Sequence, residues 1–462
     1  MEFNYLQVFL TISLPIMGLA YALLGGLKLA LAERLQLDEG KVGRLVGAFG
    51  TMFGPTILAC GFITDAVDRK IIWIAGSTVL AVAIFTLAVT RSYRGAVIAV
   101  LLLGIGWAAQ VNVGNVLMRV AVPPDPTKQD EIKKRMAEID PATKDDKELA
   151  RRQQLAQDLM RAKDEDEGRL VWATNFFDFV FGFGAFVTPV ILGVILSKLG
   201  YQKGVILLAL VATLTVFLAF PARMYPPEAK PAAKEEAPAP KEAPAPVKEA
   251  APAPQPSGLS TLLSSPLFWV IGFAFLFFVP LETAVGGWAT TIVTRNTPPE
   301  VPPDKAKRVA DIGLTGFWLG FTGSRLIIAI LGQSGSLTKW GVTEQKLLLF
   351  QAVFCVALML FMVFLRGRGP ALTAVLLAGF ACGPVFPTMM AIVLLSVPAD
   401  TMGRAVGIFF FFASVGWTVI PAIIGSVAKK ADNIQRGFLV AAASAAVFMT
   451  LIIVRGVMVA GK

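Results

Sequence analysis

The stretch GAFVTPVILG at residues 184–193 recurs near the other end of the chain as GWTVIPAIIG at residues 416–425. Both copies follow the pattern G-x4-P-x3-G and lie 232 positions apart. A second pair, GWAAQVNVGN (106–115) and GFACGPVFPT (379–388), aligns at an offset of 273. The offsets differ by 41, close to the length of a polar insertion that separates the two motifs only in the first half. The pattern predicts two related halves in parallel orientation.

The composition is typical of a membrane protein. Of 462 residues, 55% are hydrophobic and only 16% are charged, whereas a soluble protein has about 25% charged residues. Apolar runs of about 20 residues, long enough to cross a ~30 Å hydrocarbon core as helices, recur along the chain. The predicted spans are residues 6–32, 42–64, 71–89, 95–122, 170–196, 203–222, 267–293, 309–332, 345–365, 370–397, 404–428 and 435–457.

These spans predict an all-α polytopic membrane protein, with twelve transmembrane helices in two pseudo-symmetric six-helix bundles. Residues 1–222 form the first bundle, which contains a polar, helical, cytoplasmic insertion at 123–169. Residues 223–258 are rich in Pro, Ala, Lys and Glu and are predicted to be a disordered linker, because such a tract buries too little apolar surface to fold. Residues 259–462 form the second bundle. An even number of spans places both termini on one side, which we take as cytoplasmic.

The charge and the absence of histidine narrow the function classes. The net charge of +10 resides largely in loops, which points to membrane topology and anionic lipid headgroups rather than to nucleic acid. With no histidine in the sequence, no metal-ligand cluster and no nucleophile–base pair, an enzyme is not indicated and no cofactor or metal is expected. The three cysteines fall inside spans and indicate apolar packing.

Glu282 is the most unusual residue of the predicted spans. It lies in FVPLETAVGGW (278–288), within an otherwise uncharged run from 265 to 294, where a lipid-facing carboxylate would cost about 2.5 kcal/mol. Pro280 and Gly286–Gly287 predict a broken helix here, which is tolerated where backbone lines a cavity. Glu282 is therefore a candidate proton acceptor, sodium ligand or acceptor for substrate hydroxyls. A purely structural hydrogen bond is the alternative.

A loop between spans two and three carries a recognisable motif. GFITDAVDRK (61–70) resembles the G-x3-D-x2-G-R-K signature of the major facilitator superfamily, with Asp68 in place of the second glycine. The matching positions are Gly61, Asp65, Arg69 and Lys70. The resemblance implies the major facilitator fold, alternating access and a loop that takes part in the conformational change.

Three stretches of the second half resemble the fucose-permease-like sugar transporters: LETAVGGW (281–288), FWLGFTGSR (317–325) and ACGPVFPTMMAI (381–392). This resemblance implies a monomeric secondary transporter of a sugar or similar small polar solute in the bacterial inner membrane, coupled to a proton or sodium gradient. Sugar–proton symporters of that family carry acidic residues in spans one and four, and residues 6–32 have none here. Glu282 and Asp178 are therefore the candidate ion-coupling residues.

The resemblance also places spans five and eight side by side, at the interface of the halves. Asp178 and Arg325 lie in these spans, each roughly 10–12 Å from the predicted cytoplasmic end. We hypothesise a salt bridge between them that holds this end closed and breaks when it opens. The alternative is that each side chain is satisfied by local backbone or water.

Amide and aromatic side chains at the same depth are candidates for sugar binding, because sugars are held by polar groups around their hydroxyls and an aromatic face against the ring. The predicted substrate-binding residues are Gln110, Asn112, Asn115, Asn175, Glu282 and Trp288, with Trp318 and Trp417 as further candidates. At least one of the span-four amides is expected to pack between helices instead.

Two other functions stay open on sequence alone. The missing acids of spans one and four and the aromatic-rich spans favour an exporter of amphiphilic compounds or drugs. The two long polar segments favour a solute receptor on a transporter scaffold. Saturable solute accumulation separates transport from sensing, and competition by sugars rather than by lipophilic cations separates the two transport functions.

Overall fold

Helices form the described part of the chain, as the apolar runs predict. The computed structural model describes residues 4–37, 39–123, 126–139, 146–225, 258–398, 400–431 and 433–460. The predicted linker therefore lies almost entirely outside the described residues. The helices are α1 (Tyr5–Leu35), α2 (Glu39–Ala66), α3 (Arg69–Val89), α4 (Tyr93–Ala121), α5 (Pro126–Ala137), α6 (Asp146–Ala219), α7 (Gly258–Ser264), α8 (Pro266–Arg295), α9 (Pro303–Gln333), α10 (Ser336–Lys339), α11 (Glu344–Val363), α12 (Arg368–Cys382), α13 (Val385–Ser396), α14 (Met402–Ala431) and α15 (Ile434–Ala460).

The described residues contain 11 helical segments long and apolar enough to cross a membrane. One of them, α6, has 74 residues and would be roughly 110 Å long if straight, far more than the ~30 Å of a hydrocarbon core. Its helix is interrupted at Gly200, where φ is 72° and ψ is 170°. This turn lies between predicted spans five and six, so α6 crosses twice and the all-α polytopic fold is confirmed. We call the side that holds both ends of the chain the terminal face, and the other side the far face.

Equivalent helices pack in the same way within each half. Gly184 of α6 approaches Pro15 of α1 so closely that a Cβ at Gly184 would overlap the Pro15 carbonyl oxygen. Gly416 of α14 approaches α8 likewise, and its Cβ would overlap the carbonyl oxygen of Leu276. The two glycines are the first residues of the G-x4-P-x3-G repeats. The repeat therefore encodes a close helix–helix contact in each half.

A helix break occurs in the second half, but not where the sequence predicts it. α8 is continuous through Pro280 and Glu282, so the predicted unwinding at Glu282 is wrong. The carbonyl oxygen that Pro280 deprives of an amide partner belongs to Leu276, and it is covered by Gly416. The break lies instead between α12 and α13, at Gly383–Pro384. Two prolines within four residues, Pro384 and Pro387, remove two backbone donors at that point.

The halves meet at the terminal face and diverge toward the far face. α2 touches α14 closely at Gly61, where an added Cβ would lie 2.7 Å from the carbonyl oxygen of Gly403. Nearer the far face, a Cβ added at Gly47 or Gly50 of α2 would have no atom within 4 Å. α6 and α9 also pack together, with Gly332 against Trp172. The space between the halves is therefore closed at the terminal face.

Candidate transport site

A cavity lies between the two halves, about midway along the spans. Its wall is formed by α1, α2, α4 and α6 of the first half and by α8, α9, α13 and α14 of the second. The empty volume is about 1040 Å³, including the space at its open side. Because both halves contribute side chains, any movement of one half against the other reshapes the cavity. This is the geometry that alternating access requires.

Three charged side chains lie in the cavity wall: Asp178, Glu282 and Arg325. The Arg325 guanidinium is 4% exposed and donates from Nε to the carbonyl oxygen of Gly383 at 2.7 Å. That oxygen has no helical partner because Pro387, four residues on, lacks an amide hydrogen. Arg325 thus supplies a hydrogen-bond donor to the carbonyl oxygen left without one at the break between α12 and α13.

Arg325 also reaches across to the first half. Its Nη1 donates to the main-chain carbonyl oxygen of Asp178 at 3.2 Å, and its guanidinium lies 4.1 Å from the ring centroid of Phe321. The predicted salt bridge with the Asp178 carboxylate is not formed: among the described residues, the Asp178 carboxylate has no basic nitrogen within 4.0 Å. The two residues do join the halves, through the backbone rather than through charge.

Glu282 projects from the middle of α8 into the cavity. Its Oε1 is buried and has no hydrogen-bond partner among the described residues. Asp178 and Arg325 are within electrostatic range of it. Burial removes a carboxylate oxygen from water, and without a protein hydrogen bond nothing compensates the free-energy cost of that desolvation. Glu282 is therefore equipped to accept a hydrogen bond or a cation from something that enters the cavity.

Aromatic rings make up much of the remaining wall, and sequence reasoning missed two of them. Tyr21 of α1 stacks on Trp107 of α4 with ring centroids 4.9 Å apart, and Trp417 lies 6.2 Å from Tyr21. The Trp107 side chain is 6% exposed, and its Nε1 has no hydrogen-bond partner among the described residues. Trp318 and Trp417 line the cavity, whereas the predicted Trp288 packs near Gly425 and does not.

The three amides of span four separate into different environments. Asn115 lines the cavity and has an unpartnered Oδ1, as a binding residue requires. Gln110 instead donates to Ser77 Oγ at 2.7 Å, between helices of the first half. Asn112 donates to the carbonyl oxygen of Gly403 at 3.1 Å. Both side chains are fully buried and neither lines the cavity, so the structure does not bring these two predicted binding residues to the site.

Asn175 of α6 also lies outside the cavity. Its Nδ2 donates to the Val171 carbonyl oxygen at 2.9 Å and to Thr388 Oγ1 at 3.4 Å. Thr388 belongs to α13, so this predicted binding residue is instead a contact between the halves. It lies on the side of the cavity that faces the terminal face.

The family pattern of the Major Facilitator Superfamily matches residues 170–421, more than half of the chain. The chain belongs to the Major Facilitator Superfamily. The predicted resemblance to this superfamily is confirmed. As a member of it, the chain is a multi-pass membrane transporter rather than an enzyme, as the sequence predicts.

Solved structures of other transporters share the fold. The E. coli fucose:proton symporter superposes with a TM-score of 0.69 at 15% identity, covering 98% of this chain and 99% of its own. A structure of the same transporter in the outward conformation gives 0.68 at 15% identity, with coverage of 98% and 99%. The human organic anion transporter gives 0.68 at 13% identity, with coverage of 98% and 100%. No curated protein matches this chain in sequence.

In this superfamily member, the loop motif ties α2 to α14 of the other half. Asp65 Oδ1 accepts a hydrogen bond from the Gly403 amide at 2.7 Å. Its Oδ2 accepts from the amide and from Nε of Arg404, at 2.9 and 2.8 Å. Gly61 allows this approach because any side chain would meet Gly403. The motif thus contributes a carboxylate cap to the N-terminus of a helix in the partner half.

The basic residues of the motif bind within their own half. The Arg69 guanidinium lies 4.9 Å from the Tyr225 ring centroid, and its Nη1 donates to the Met224 carbonyl oxygen at 3.4 Å. Lys70 Nζ donates to the carbonyl oxygen of Phe220 at 2.9 Å. Both therefore hold the chain where it leaves α6 toward the linker.

A second contact at the terminal face was missed by sequence reasoning. Arg119 of α4 donates from Nη1 to the carbonyl oxygens of Leu394 and Val397, the latter at 2.7 Å. These carbonyls end α13, where the helix dipole favours a cation. The signal was available, since a charged residue inside an apolar span deserves a functional explanation.

The insertion contributes a third contact, outside the membrane-spanning part. The Glu167 carboxyl group of α6 lies beside that of Glu344 at the start of α11, close enough to share a hydrogen bond when one of them is protonated. Glu344 Oε1 lies 3.7 Å from Arg455 Nη2. Burial and the adjacent Glu344 raise the pKa of Glu167 to about 7. Two carboxyl groups can share a hydrogen bond only when one of them holds a proton, so this contact between the halves depends on pH.

Proposed function

We propose that the protein is a secondary active transporter that moves a small polar solute, a sugar first of all, by alternating access of the central cavity. The observation that carries this proposal is Glu282, whose buried Oε1 lacks a protein partner in a cavity built by both halves. The stacked rings of Tyr21 and Trp107 offer an apolar surface to a sugar ring, and Asn115 offers an acceptor to its hydroxyls. Such a combination is typical of sugar sites.

Coupling to an ion gradient follows from the same residue. A carboxylate buried away from water is stabilised by a proton or a sodium ion, and its affinity for that ion changes when the halves move and water enters. We assign Glu282 as the coupling residue, with Asp178 as the second candidate because it shares the cavity. No further cofactor is included in the proposal, and the transporter acts as a monomer.

The orientation belongs to the same proposal. The terminal face is placed in the cytoplasm of a bacterial inner membrane, so the conformation described here faces outward. The Asp65 and Arg119 contacts then act as a cytoplasmic gate, and the Arg325–Asp178 contact acts beside them. Opening of this gate releases solute to the cytoplasm.

Export of amphiphilic compounds is the second candidate, and the cavity gives it a specific argument. Three of the amides predicted to contact substrate lie outside the cavity, and much of the remaining wall is aromatic and aliphatic. A site of this kind binds apolar rings more readily than heavily hydroxylated ones. Competition by lipophilic compounds against a labelled sugar separates the two candidates.

The test is counterflow of a labelled hexose panel in proteoliposomes, with wild type and Glu282→Gln. Counterflow requires no ion gradient, so it reports binding and alternating access alone. We expect wild type to exchange a sugar and Glu282→Gln to retain exchange but lose gradient-driven uptake. Glu300→Gln, the same change at an exposed loop position, is the matched control. Absence of any sugar exchange in wild type rejects the sugar proposal and favours amphiphile export.

A further inference from the structure

The cavity wall holds more acidic than basic side chains. Its lining residues include two acids, Asp178 and Glu282, and one base, Arg325. With all three ionised, the wall carries one excess negative charge. A net charge in a cavity walled by buried side chains is stabilised by a bound ion, a proton or the solute itself.

Arg325 makes its direct contacts with groups other than the Glu282 carboxylate. Its Nε is held by the carbonyl oxygen of Gly383 at 2.7 Å, its Nη1 by the main-chain oxygen of Asp178 at 3.2 Å, and its face by the ring of Phe321 at 4.1 Å. Within the described residues, neither carboxylate forms an ion pair with it. Asp178 is nevertheless attached to Arg325 through the backbone, which keeps that acid beside the guanidinium. Of the two acids, Glu282 is the one with a buried carboxylate oxygen, Oε1, that has no hydrogen-bond partner among the described residues.

The surroundings of Glu282 suit a cation that carries a ring. Tyr21 lies within electrostatic range of Glu282 and stacks on Trp107, with Phe181 at 6.0 Å from Tyr21. Aromatic faces attract cations through their quadrupoles and also accept apolar ring surfaces. Asn115 adds a buried oxygen, Oδ1, that has no partner.

We infer that the solute is a monocation with a ring, whose ammonium group binds Glu282 and whose ring lies against Tyr21 and Trp107. The inference rests on the proposed transport function and narrows it: a sugar substrate would carry an amine, Glu282 would bind that amine, and ion coupling would pass to Asp178, the second candidate in the cavity wall.

The experiment tests the charge of the solute and the polarity of its ring separately. The probes are glucosamine and glucose, a polar cation with its neutral counterpart, and benzyltrimethylammonium and benzyl alcohol, an apolar pair. Binding to the purified full-length protein is measured by tryptophan fluorescence, and counterflow of each labelled probe is measured in proteoliposomes. The variants are Glu282→Gln and the matched control Glu300→Gln.

We expect the cation of at least one pair to bind at least about tenfold more tightly than its neutral counterpart. A charge-assisted contact with Glu282 is strong enough to produce a difference of this size. Glu282→Gln should abolish this preference while the neutral probe is unaffected, and Glu300→Gln should keep it. Equal binding of cation and neutral counterpart by wild type in both pairs overturns the inference, and this comparison requires no variant to fold.

The counterflow results separate this inference from the proposed function. If neutral glucose is exchanged as fast as glucosamine, the inference that the solute is a cation is overturned, while the proposal of sugar transport stands. A Glu282-dependent preference for cations in binding, with no counterflow of any probe, supports the site and rejects transport of these solutes. Exchange of benzyltrimethylammonium but not of glucosamine supports the cation class and rejects the sugar.

Discussion

Asp65 and Arg404 join the two halves of the transporter at its terminal face, although they lie 339 positions apart. The carboxylate accepts from Nε and from the amide of Arg404, and from the amide of Gly403. The Asp65 side chain is only 2% exposed, so the carboxylate that caps α14 and pairs with the Arg404 guanidinium is shielded from water. Opening of the terminal face must break all of these hydrogen bonds together.

We expect Asp65→Asn to shift the protein toward the conformation that is open at the terminal face. The substitution removes the charge and at least one acceptor, which costs the closed form about 2 kcal/mol. Spin labels at Val67 and Lys339, exposed residues of opposite halves at this face, report the change in a background without the native cysteines. The fraction of molecules with a longer distance between the two labels should increase. The same distribution as wild type, or an equal shift in the exposed control Asp311→Asn, would contradict the gate.

The close approach of α2 to α14 gives a steric test. Gly61→Ala places a methyl group 2.7 Å from the Gly403 carbonyl oxygen, so the closed terminal face must open or deform. We expect a longer Val67–Lys339 distance and lower thermal stability. Gly193→Ala is the control, since a Cβ there has no atom within 4 Å and should change neither measurement.

Glu167 predicts a pH dependence of closure. Its pKa is about 7 in the closed form, against an ordinary 4.5, because it is buried and faces Glu344, with Asp164 nearby and Arg455 opposing. Opening separates the two carboxyl groups and restores the ordinary pKa, so the closed form binds more protons between these values. Closure is therefore favoured most at or below pH 4.5 and loses this contribution as the pH rises to 7.

Glu167→Gln tests this dependence because the amide stays neutral at every pH in the window. We expect the closed population of wild type, measured by the same spin labels, to fall as the pH rises, and that of Glu167→Gln to stay level. Glu138→Gln, an exposed position of the insertion, should respond like wild type. A variant at position 167 that follows the wild-type curve would show that other groups carry the pH response.

Gln110 and Asn115 lie five positions apart on α4 and should behave differently. Gln110→Ala removes the hydrogen bond to Ser77 and should lower stability by about 1 kcal/mol while leaving substrate affinity unchanged. Asn115→Ala should weaken substrate binding and cost less stability, because Asn115 Oδ1 has no protein partner and its Nδ2 bonds only within α4, to the Val111 carbonyl oxygen at 2.8 Å. Thermal unfolding and equilibrium binding of the transported solute are measured on both variants. A reversal of the two effects would contradict the assigned cavity wall.

The membrane-spanning architecture could be predicted because it depends on local properties. A helix crosses a bilayer if about 20 consecutive residues are apolar, and that property is read directly from the chain. The repeat around Gly184 and Gly416 was equally informative, since small residues at fixed spacing mark close helix packing. Asp65 could be singled out because its loop motif is short and contiguous.

The composition of the site depended on tertiary structure. Successive residues of a helix point about 100° apart, so Gln110, Asn112 and Asn115 face different neighbours, and only packing fixes which of them faces the cavity. The family resemblance likewise implied that the spans of Asp178 and Arg325 adjoin. It did not reveal the partner of the guanidinium, which is the carbonyl oxygen of Gly383. Hydropathy and spacing thus determined the spans and the two halves by themselves. The rotation of each helix about its axis, set by contacts between residues far apart in the chain, decided which side chains meet.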